Sequence, residues 1–468
     1  MFSVLSDGKV LLDNDNTPFS IKLVLTNANN NNNKFYNLNW DGNHCTALYG
    51  RVGARATEVD IGSLRDMERQ ANKKIAKGYR VVDTISTSVE VVHKPLVEVA
   101  KRDLVAEDDQ NKDVLFSLIS YLVAQNKHKI AEFSGGRITV DEDGLVKTEL
   151  GVVTQKSIDE ARAILQEMWD LHPLLNHGEN LSYSMNFNSN EVERFLTLVN
   201  EYLMRIPQRV GSSRGWWVDM FCKKSDLTRQ FDFLDQLSVS ITLFESNQQL
   251  HKDDTVNVEE HEQVFDRQIR LVTDQKVIDE IQKMFADTAN RSHSSYGLRL
   301  KHVYELVSDN QAFKKKAKKI GNVKRLWHGT RNFNVLSIIK NGLLLPKSNN
   351  GLNMNITGAM FGDGVYFSNQ STKSLNYSNG YWGGASQNHC FMFVADVAMG
   401  KEFYAAHKNA ESTAKGSPVY PVKGFDSVYA RGGRRNLTHG GYMSNLSNDE
   451  MIVFDLNQID LRYLCEFE

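Results

Sequence analysis

Alternating apolar and polar residues near the amino terminus predict a small β-rich region. The segment Phe19–Leu25 begins with such an alternation, as in a strand with one buried face. A second strand is predicted from about Phe35. Residues 27–33, between the two strands, are almost pure asparagine and are expected to form a solvated hairpin loop. A helical pattern over residues 63–77 completes this region.

Helical periodicity dominates the next part of the chain, residues 113–211. In Ile158–Leu165 the apolar residues recur at i, i+3, i+6 and i+7, which predicts one buried helix face. Helical patterns continue over residues 231–244, so an all-α region is expected. From about residue 264 the pattern changes to strand, helix and then strands separated by glycine-rich loops. The chain is therefore predicted to be an α+β multidomain protein.

Composition limits the class of protein. At 468 residues the chain is too long for one core, and 41% hydrophobic residues is ordinary for globular material. A net charge of −2 argues against binding nucleic acid over the whole surface, so any such contact is expected to be local. The four cysteines form no C-x-x-C pair, which disfavours zinc fingers and a disulfide framework. Because long apolar stretches are absent, we expect a soluble intracellular protein.

Three short stretches in the last third of the chain carry candidate chemistry. They are residues 326–330 with His328, residues 361–367 with Tyr366, and residues 449–453 with Glu450. Each residue alone has an ordinary structural interpretation: a hydrogen-bonding histidine, a packed aromatic and a solvated carboxylate at a strand end. A fourth stretch reads Lys373-Ser374-Leu375-Asn376-Tyr377.

In this order, the four stretches closely resemble the signature of poly(ADP-ribose) polymerases. They span about 125 residues, a combination that is hard to obtain by chance. The resemblance extends to Asn334 and to residues 393–400 and 461–464. It implies a mixed α/β ADP-ribosyltransferase catalytic domain over residues 251–468, with NAD⁺ as a substrate and no metal.

The resemblance also implies a role for each residue. The catalytic residues would be Glu450, His328 and Tyr366. The NAD⁺ contacts would come from His328, Gly329, Asn334, Tyr366, Lys373, Ser374 and Tyr377. Gly329 and Ser374 would hold the nicotinamide amide, Tyr366 and Tyr377 would flank its ring, and His328 would bind the adenosine ribose. Glu450 would bind the nicotinamide ribose and polarise the acceptor hydroxyl.

The sequence departs from the better-known members of the family between His328 and Tyr366. Residues 346–355 are polar, Leu344 stands where an arginine is often found, and Asp363 stands where a lysine is common. The affinity for NAD⁺ is therefore left open. So is the product, since some relatives that keep all three catalytic residues add only one ADP-ribose unit.

The helical region resembles the autoinhibitory domain of the DNA-responsive branch of this family. The resemblance is clearest in residues 150–158 and 202–207. It implies that the helices block access of NAD⁺ until DNA binding unfolds them locally. The alternative is an inert helical spacer. The predicted boundaries are residues 91–110 for a linker and 111–250 for the regulatory domain.

Near the amino terminus, residues 49–53 read Tyr-Gly-Arg-Val-Gly and resemble the centre of a WGR domain, here predicted over residues 1–90. The resemblance implies that Tyr49 stacks on a DNA end and that Arg51 binds phosphate. Lys73, Lys74 and Lys77 would add salt-dependent affinity, unless they form an ordinary solvated helix face.

A further basic run, Lys314 to Lys319, favours a solvated basic loop over a nuclear import signal. The expected partners of the chain are DNA ends or nicks and protein acceptors that include the chain itself, with no membrane. A further candidate is an accessory factor that completes the active site.

The sequence thus favours a DNA-break-stimulated ADP-ribosyltransferase of the DNA damage response, with poly(ADP-ribose) as the favoured product. It would be nuclear in a eukaryote and cytoplasmic otherwise. One alternative is a mono-ADP-ribosyltransferase of the same fold. The other is a DNA-end-binding scaffold with little turnover.

Overall fold

The computed structural model forms two compact units. One comprises Met1–Leu96 and Lys127–His261, and the other Val97–Asn126 and Glu262–Glu468. The structure describes the chain except for residues 1, 6–8, 13–16, 29–31, 53, 82–95, 142–145, 149–150, 176–189, 212–214, 253–263, 346–360, 363, 381–386, 406–418, 433, 436–441, 444–445 and 447. The polar segment 346–355 and Asp363 lie outside the described residues.

Helices and strands alternate along the chain, as expected for the α+β multidomain class. The helices are α1 (Leu64–Ile75), α2 (Leu96–Leu104), α3 (Lys112–Ser134), α4 (Gln155–Leu175), α5 (Asn190–Arg205), α6 (Trp216–Phe221), α7 (Lys224–Lys252), α8 (Gln275–Asp287), α9 (Gln311–Ile320), α10 (Asn332–Asn341) and α11 (Ser371–Asn379). The strands are β1 (Phe2–Val4), β2 (Val10–Leu12), β3 (Phe19–Asn27), β4 (Asn32–Trp40), β5 (Cys45–Arg51), β6 (Thr57–Gly62), β7 (Arg80–Val81), β8 (Ile138–Val140), β9 (Val146–Thr148), β10 (Gly151–Val152), β11 (Gln268–Leu271), β12 (Leu300–Val307), β13 (Val323–Gly329), β14 (Val365–Phe367), β15 (Cys390–Ala398), β16 (Glu402–Ala405), β17 (Ser427–Ala430), β18 (Arg434–Arg435), β19 (Tyr442–Met443), β20 (Glu450–Val453) and β21 (Ile459–Phe467).

The first unit begins with a five-stranded antiparallel sheet in the order β6-β5-β4-β3-β7. Helix α1 packs against it, with Met67 and Ala71 buried among Ile21, Leu23 and neighbouring apolar side chains. The helix starts at a capping box, in which Ser63 and the Asp66 side chain satisfy each other's free backbone N–H groups. The predicted strand over residues 19–25 and the helix that follows are confirmed.

The asparagine-rich stretch differs from its prediction. Strand β3 continues to Asn27 and β4 starts at Asn32, and these two residues pair. Asn33 is buried, and its carbonyl accepts a hydrogen bond from the Val52 N–H at 2.8 Å. The expected solvated loop over residues 27–33 is therefore wrong at both ends, because main-chain pairing continues regardless of the polar side chains. Its middle lies outside the described residues.

The rest of the first unit is mostly helical, with long helices such as α4 and α7. It is not all-α as predicted, since β8, β9 and β10 form a small antiparallel sheet. Two glycines in the left-handed region, Gly135 and Gly136, end α3 and turn the chain towards β8. Short strands of this length carry too little periodicity to be found from the sequence.

The second unit contains two sheets that carry the candidate site. The larger is antiparallel in the order β11-β12-β21-β15-β13, and the smaller has the order β14-β20-β17-β16. Strand β15 is buried at almost every residue, and its sequence is apolar except for Asp396, which pairs with Arg325. Trp327 on β13 and Leu375 on α11 are both 0% exposed in one core, and Ile452 on β20 is at the centre of a second.

Two further predictions change in this unit. The predicted linker, residues 91–110, contains α2, with Ala100 and Leu104 buried. The basic run is part of helix α9 instead of a loop, because Asn310 caps the helix and Phe313 is buried beneath it. None of the helices in the described part of the chain has the length and apolar composition that crossing a bilayer requires.

Candidate active site

Strand β13 places His328 and Gly329 at its carboxyl end. The His328 Nδ1 atom lies 3.0 Å from the Tyr366 carbonyl oxygen. Because a carbonyl only accepts, Nδ1 carries the proton and Nε2 is left as an acceptor. Burial lowers the pKa of His328, only partly offset by this hydrogen bond, so the ring is neutral near pH 7. The predicted catalytic residues His328 and Tyr366 are thus linked directly.

Gly329 and Ser374 are also brought together. A Cβ atom at position 329 would overlap the Ser374 carbonyl oxygen, so α11 can approach the end of β13 only at a glycine. The Ser374 hydroxyl donates to the Trp327 carbonyl at 3.3 Å. Asn334 lies in the first turn of α10, and its amide donates to the Thr330 hydroxyl at 3.5 Å. The predicted nicotinamide-binding pair therefore shares one corner of the unit.

The two predicted ring-stacking tyrosines have different surroundings. Tyr366 is partly buried, and its hydroxyl donates to the Gly362 carbonyl and accepts from the Phe361 N–H, each at 2.9 Å. Tyr377 on α11 is 40% exposed. Partial burial, with the nearby Glu450 carboxylate as the second cause, raises the pKa of Tyr377 to about 12. Tyr377 therefore lies within electrostatic range of Glu450.

Glu450 opens strand β20 and forms an ion pair with Lys373. The Lys373 Nζ atom lies 2.9 Å from Glu450 Oε1, and the two side chains are only 8% and 10% exposed. The same ammonium donates to the Asp449 carbonyl at 3.1 Å. Burial lowers the pKa of Lys373, while the Glu450 charge opposes that shift. Lys373, predicted to contact NAD⁺, is thus oriented towards the predicted catalytic carboxylate.

Sequence reasoning gave no role to Asp449. This residue is only 6% exposed, and its carboxylate accepts hydrogen bonds from Tyr429, Asn369 and Gly432. The available signal was a second acidic residue at the start of an apolar strand, where a buried charge requires partners.

A separate group of polar side chains in this unit is of the kinds that bind metal ions, but a lysine ammonium already lies among them. Atoms of His389, Glu466 and Glu468 lie within 4.8 Å of one another. The Lys301 ammonium bonds both glutamates. Burial opposes ionisation of Glu466, but hydrogen bonds, led by that from Tyr304, lower the pKa of Glu466 to about 2. Since a lysine supplies the positive charge, these residues fit a structural network.

The predicted DNA-binding residues lie in the first unit, and two of them are engaged by aromatic rings. The Tyr49 and Tyr36 rings stack with centroids 5.3 Å apart. The Lys74 Nζ atom lies 3.8 Å from the centroid of Tyr36 and 5.4 Å from that of Tyr79. Burial, followed by repulsion from neighbouring lysines, lowers the pKa of Lys74. Lys74 is therefore a packed residue.

The other predicted DNA-binding residues differ from Lys74 in their surroundings. Lys73 and Lys77 are exposed on helix α1 and beyond its end. The Arg51 guanidinium donates to the Gly211 carbonyl at 3.1 Å within the same unit. The five candidates are thus close in sequence but differ in environment.

Two family models match the chain. One, described as the poly(ADP-ribose) polymerase catalytic domain, matches residues 276–468, and the other, described as the WGR domain, matches residues 19–84. This chain carries a WGR domain and a poly(ADP-ribose) polymerase catalytic domain. The catalytic-domain match contains all four motifs, the Lys373–Glu450 pair and every strand of the two sheets except β11. The WGR match contains Tyr49, Arg51 and the lysines of α1.

Individual proteins are also similar to the chain, over 36% to 78% of its length. "Poly [ADP-ribose] polymerase" of Sarcophaga peregrina is 23% identical over 389 residues, 78% of this chain and 36% of that protein. "Poly [ADP-ribose] polymerase 1" of Xenopus laevis is 23% identical over 346 residues, 70% of this chain and 32% of that protein. "Protein mono-ADP-ribosyltransferase PARP3" of Homo sapiens is 31% identical over 193 residues, 36% of this chain and 33% of that protein. The chain spans about a third of the length of these relatives.

Proposed function

We propose that the chain is an NAD⁺ ADP-ribosyltransferase that modifies proteins, including itself, and is stimulated by DNA ends. The observation that carries this proposal is the buried Lys373–Glu450 pair. Lys373 directly precedes Ser374, which contacts Gly329. These residues lie within the poly(ADP-ribose) polymerase catalytic domain. The hydrogen bond between His328 and the Tyr366 carbonyl links the stretch 326–330 to the stretch 361–367.

The chemistry would begin with NAD⁺ held at both ends. The Gly329 backbone and Ser374 hydroxyl would bind the carboxamide, and His328 Nε2 would accept from the adenosine ribose. Loss of neutral nicotinamide breaks the glycosidic bond and leaves positive charge on the ribose carbon. The Glu450 carboxylate would stabilise that charge and accept the hydrogen bond of the incoming acceptor. The acceptor oxygen then bonds to the ribose carbon and passes its proton to the Glu450 carboxylate, which releases it to solvent.

Lys373 would act on Glu450 in this scheme. Its ammonium is held by the Glu450 carboxylate and the Asp449 carbonyl, so it fixes the carboxylate by a charge-assisted hydrogen bond. Positioning would contribute much of the rate of ADP-ribosyl transfer. The acceptor and the carboxylate would already be fixed next to the reacting carbon, so no further loss of their freedom is needed.

The DNA-dependent part of the proposal is supported by the WGR match and by the cationic surface around Lys74. Within the first unit, Arg51 bonds the Gly211 carbonyl and the Ala28 N–H donates to Asn200 on α5 at 2.8 Å. A ligand on the WGR surface would compete with the first of these contacts. We propose boundaries of 1–90 for the WGR domain, 91–110 for a linker that contains helix α2, 111–250 for the regulatory domain and 251–468 for the catalytic domain.

Polymer is the favoured product, in line with the names of the relatives that cover most of the chain, and single-unit transfer is the alternative. We also propose that the protein acts in the DNA damage response, in the nucleus if the cell is eukaryotic. An accessory factor that completes the site remains a candidate partner.

The test is incubation of the purified chain with labelled NAD⁺, with and without blunt or nicked DNA. We expect label on the protein, more of it with DNA, and a ladder of products on a gel. A single discrete product would favour mono-ADP-ribosylation. Binding to DNA ends with no label on any protein would overturn the proposal in favour of a scaffold.

A further inference from the structure

Asp449 directly precedes strand β20 and Glu450 opens it, and their carboxylates have separate partners. Glu450 Oε1 meets Lys373. Asp449 Oδ2 accepts hydrogen bonds from the Tyr429 hydroxyl at 2.7 Å and the Asn369 amide at 3.0 Å, and Asp449 Oδ1 accepts from the Gly432 N–H at 2.8 Å. We call these three donors with Asp449 the Asp449 clamp. The clamp makes no use of the atoms that Glu450 offers to a substrate.

The clamp joins segments that are distant along the chain. Tyr429 lies on β17, Gly432 follows that strand, and Asn369 follows β14. Strands β17 and β14 flank β20 on its two sides. A carboxylate that takes three hydrogen bonds from two distant segments, residues 429–432 and Asn369, fixes the start of β20 more firmly than the ladder alone, because the ladder ends there.

The backbone of Asp449 passes this constraint to the catalytic pair. Its carbonyl accepts from the Lys373 ammonium at 3.1 Å and from the Ser368 hydroxyl at 3.3 Å. Lys373 is therefore held by two consecutive residues, at the carbonyl of Asp449 and at the carboxylate of Glu450. A shift of the Asp449 main chain would move both atoms of β20 that contact the ammonium.

We infer that Asp449 is a positioning residue, which holds Glu450 and Lys373 in register for ADP-ribosyl transfer through the clamp. This inference rests on the proposed function. The expected effect of Asp449 is geometric. The clamp supplies hydrogen bonds at fixed positions, and the negative charge of Asp449 acts on the clamp donors.

Asparagine at position 449 separates shape from charge. Its amide keeps an acceptor for the Gly432 N–H and presents an N–H₂ group where Oδ2 now lies. The Asn369 Oδ1 atom is buried without a hydrogen-bond partner among the described residues, so a flip of the Asn369 amide would supply an acceptor. The Tyr429 hydroxyl can likewise rotate to accept. Asp449→Asn is therefore expected to preserve the clamp.

Asp426 is a matched control. It directly precedes β17, which pairs with β20, and its carboxylate accepts the Lys401 N–H at 2.9 Å. Its carbonyl accepts from the Gln458 side chain, as that of Asp449 accepts from Lys373. Asp426→Ala removes an acid at a strand start of the same sheet with no contact to Glu450 or Lys373 among the described residues.

The experiment measures kcat and KM for NAD⁺ with DNA ends, and melting temperature, for the full chain and its variants. We expect Asp449→Ala to lower kcat about a hundredfold, the loss typical of a displacement near 1 Å, with little change in KM. Asp449→Asn should recover most of that loss. Asp426→Ala should lower the melting temperature and leave kcat near that of the wild type. If Asp449→Ala does not fold, Asn369→Ala replaces it, with an expected loss in kcat of about fivefold.

Each other outcome has a defined meaning. An unchanged kcat in Asp449→Ala, or an equal fall in Asp426→Ala, would overturn the positioning role. A fall in Asp449→Asn as large as in Asp449→Ala would assign the effect to charge and also overturn it. No turnover by the wild type would instead overturn the proposed function, so the two failures are distinguishable.

Discussion

One lysine in each unit loses much of its hydration, and the two are compensated differently. In the second unit the Lys373 ammonium meets a carboxylate and a carbonyl, and the Glu450 charge offsets the cost of burial. In the first unit Lys74 lies over tyrosine rings, and its charged neighbours are other lysines, including Lys34. A carboxylate cancels the charge of its partner, whereas a neutral ring leaves the charge in place. The first arrangement suits a fixed catalytic pair, and the second suits a surface that attracts an anion.

The largest expected effect follows from breaking the buried pair. Lys373→Ala leaves the Glu450 carboxylate buried without its cation, and we expect the free energy of unfolding to fall by about 3–5 kcal/mol. Urea denaturation measures this. Lys314, whose partner Asp309 lies in an exposed pair, is the control, and Lys314→Ala should not change stability measurably. Equal stability of Lys373→Ala and the wild type would contradict the pairing.

Removing the other charge of the pair tests the chemistry. Glu450→Gln keeps the shape of the side chain and loses the carboxylate, so we expect chain elongation to fall about 10²–10³-fold. NAD⁺ binding should be retained, because its predicted contacts lie mainly elsewhere. Measured polymer length and KM for NAD⁺ give the two answers, and unchanged polymer length would show that Glu450 does not support elongation.

For the first unit the comparison predicts a smaller loss. Lys74→Ala removes the cation from the tyrosine rings, and we expect the unit to lose about 0.5–2 kcal/mol of stability. Lys77→Ala is the control, since Lys77 is exposed, and its melting temperature should match that of the wild type. If both variants melt like the wild type, the ring contacts do not stabilise the fold.

Replacing Arg51 tests whether this residue binds DNA in addition to contacting the Gly211 carbonyl. If Arg51 binds phosphate, Arg51→Ala should weaken binding to DNA ends and reduce the salt dependence of log K by about one unit. Arg69→Ala, which removes an ion pair with Asp66, should leave DNA affinity nearly unchanged. A DNA affinity that is the same in Arg51→Ala and the wild type would contradict the proposed phosphate contact of Arg51.

The smallest effect concerns pH. Burial lowers the pKa of His328 in the folded state below its ordinary value of about 6.5. As the pH falls through about 6.5, the unfolded chain binds this proton first, so stability is lost towards acid and is complete above that value. His328→Gln should therefore show a smaller drop in melting temperature between about pH 7.5 and 5.5. An equal drop in both proteins would contradict a buried neutral His328.

The sequence predicts long periodic elements and the four NAD⁺ motifs because local pattern determines them. Strand β3 and helix α4 have clear periodicity, and the four motifs predict Glu450 and Ser374 as site residues without knowledge of their neighbours. The clamp at Asp449 could not be predicted, because its donors come from two segments, one at Asn369 and one at residues 429–432, that are distant from each other along the chain. Nor could the packing of Lys74, since one of its rings, Tyr36, comes from strand β4, and the other, Tyr79, from the connection between α1 and β7.

The charge runs are the least informative part of the sequence. The basic run, residues 314–319, lies in helix α9. The features that indicate this helix are the cap at Asn310 and the buried Phe313. Composition alone also hid the continuation of β3 and β4 into the asparagine-rich stretch. In both cases the main-chain hydrogen bonds decided the structure, and they depend on caps and pairing more than on side-chain polarity.

One measurement tests the central claim most directly. Wild type and Glu450→Gln are incubated with NAD⁺ labelled in the adenosine part and with DNA ends, and protein-bound label and released nicotinamide are followed together. We predict that the wild type releases nicotinamide and gains label, with more of both when DNA is present, and that the variant gains little polymer at a similar KM. Release and labelling that are the same in both proteins would contradict the assignment of Glu450 as the catalytic carboxylate.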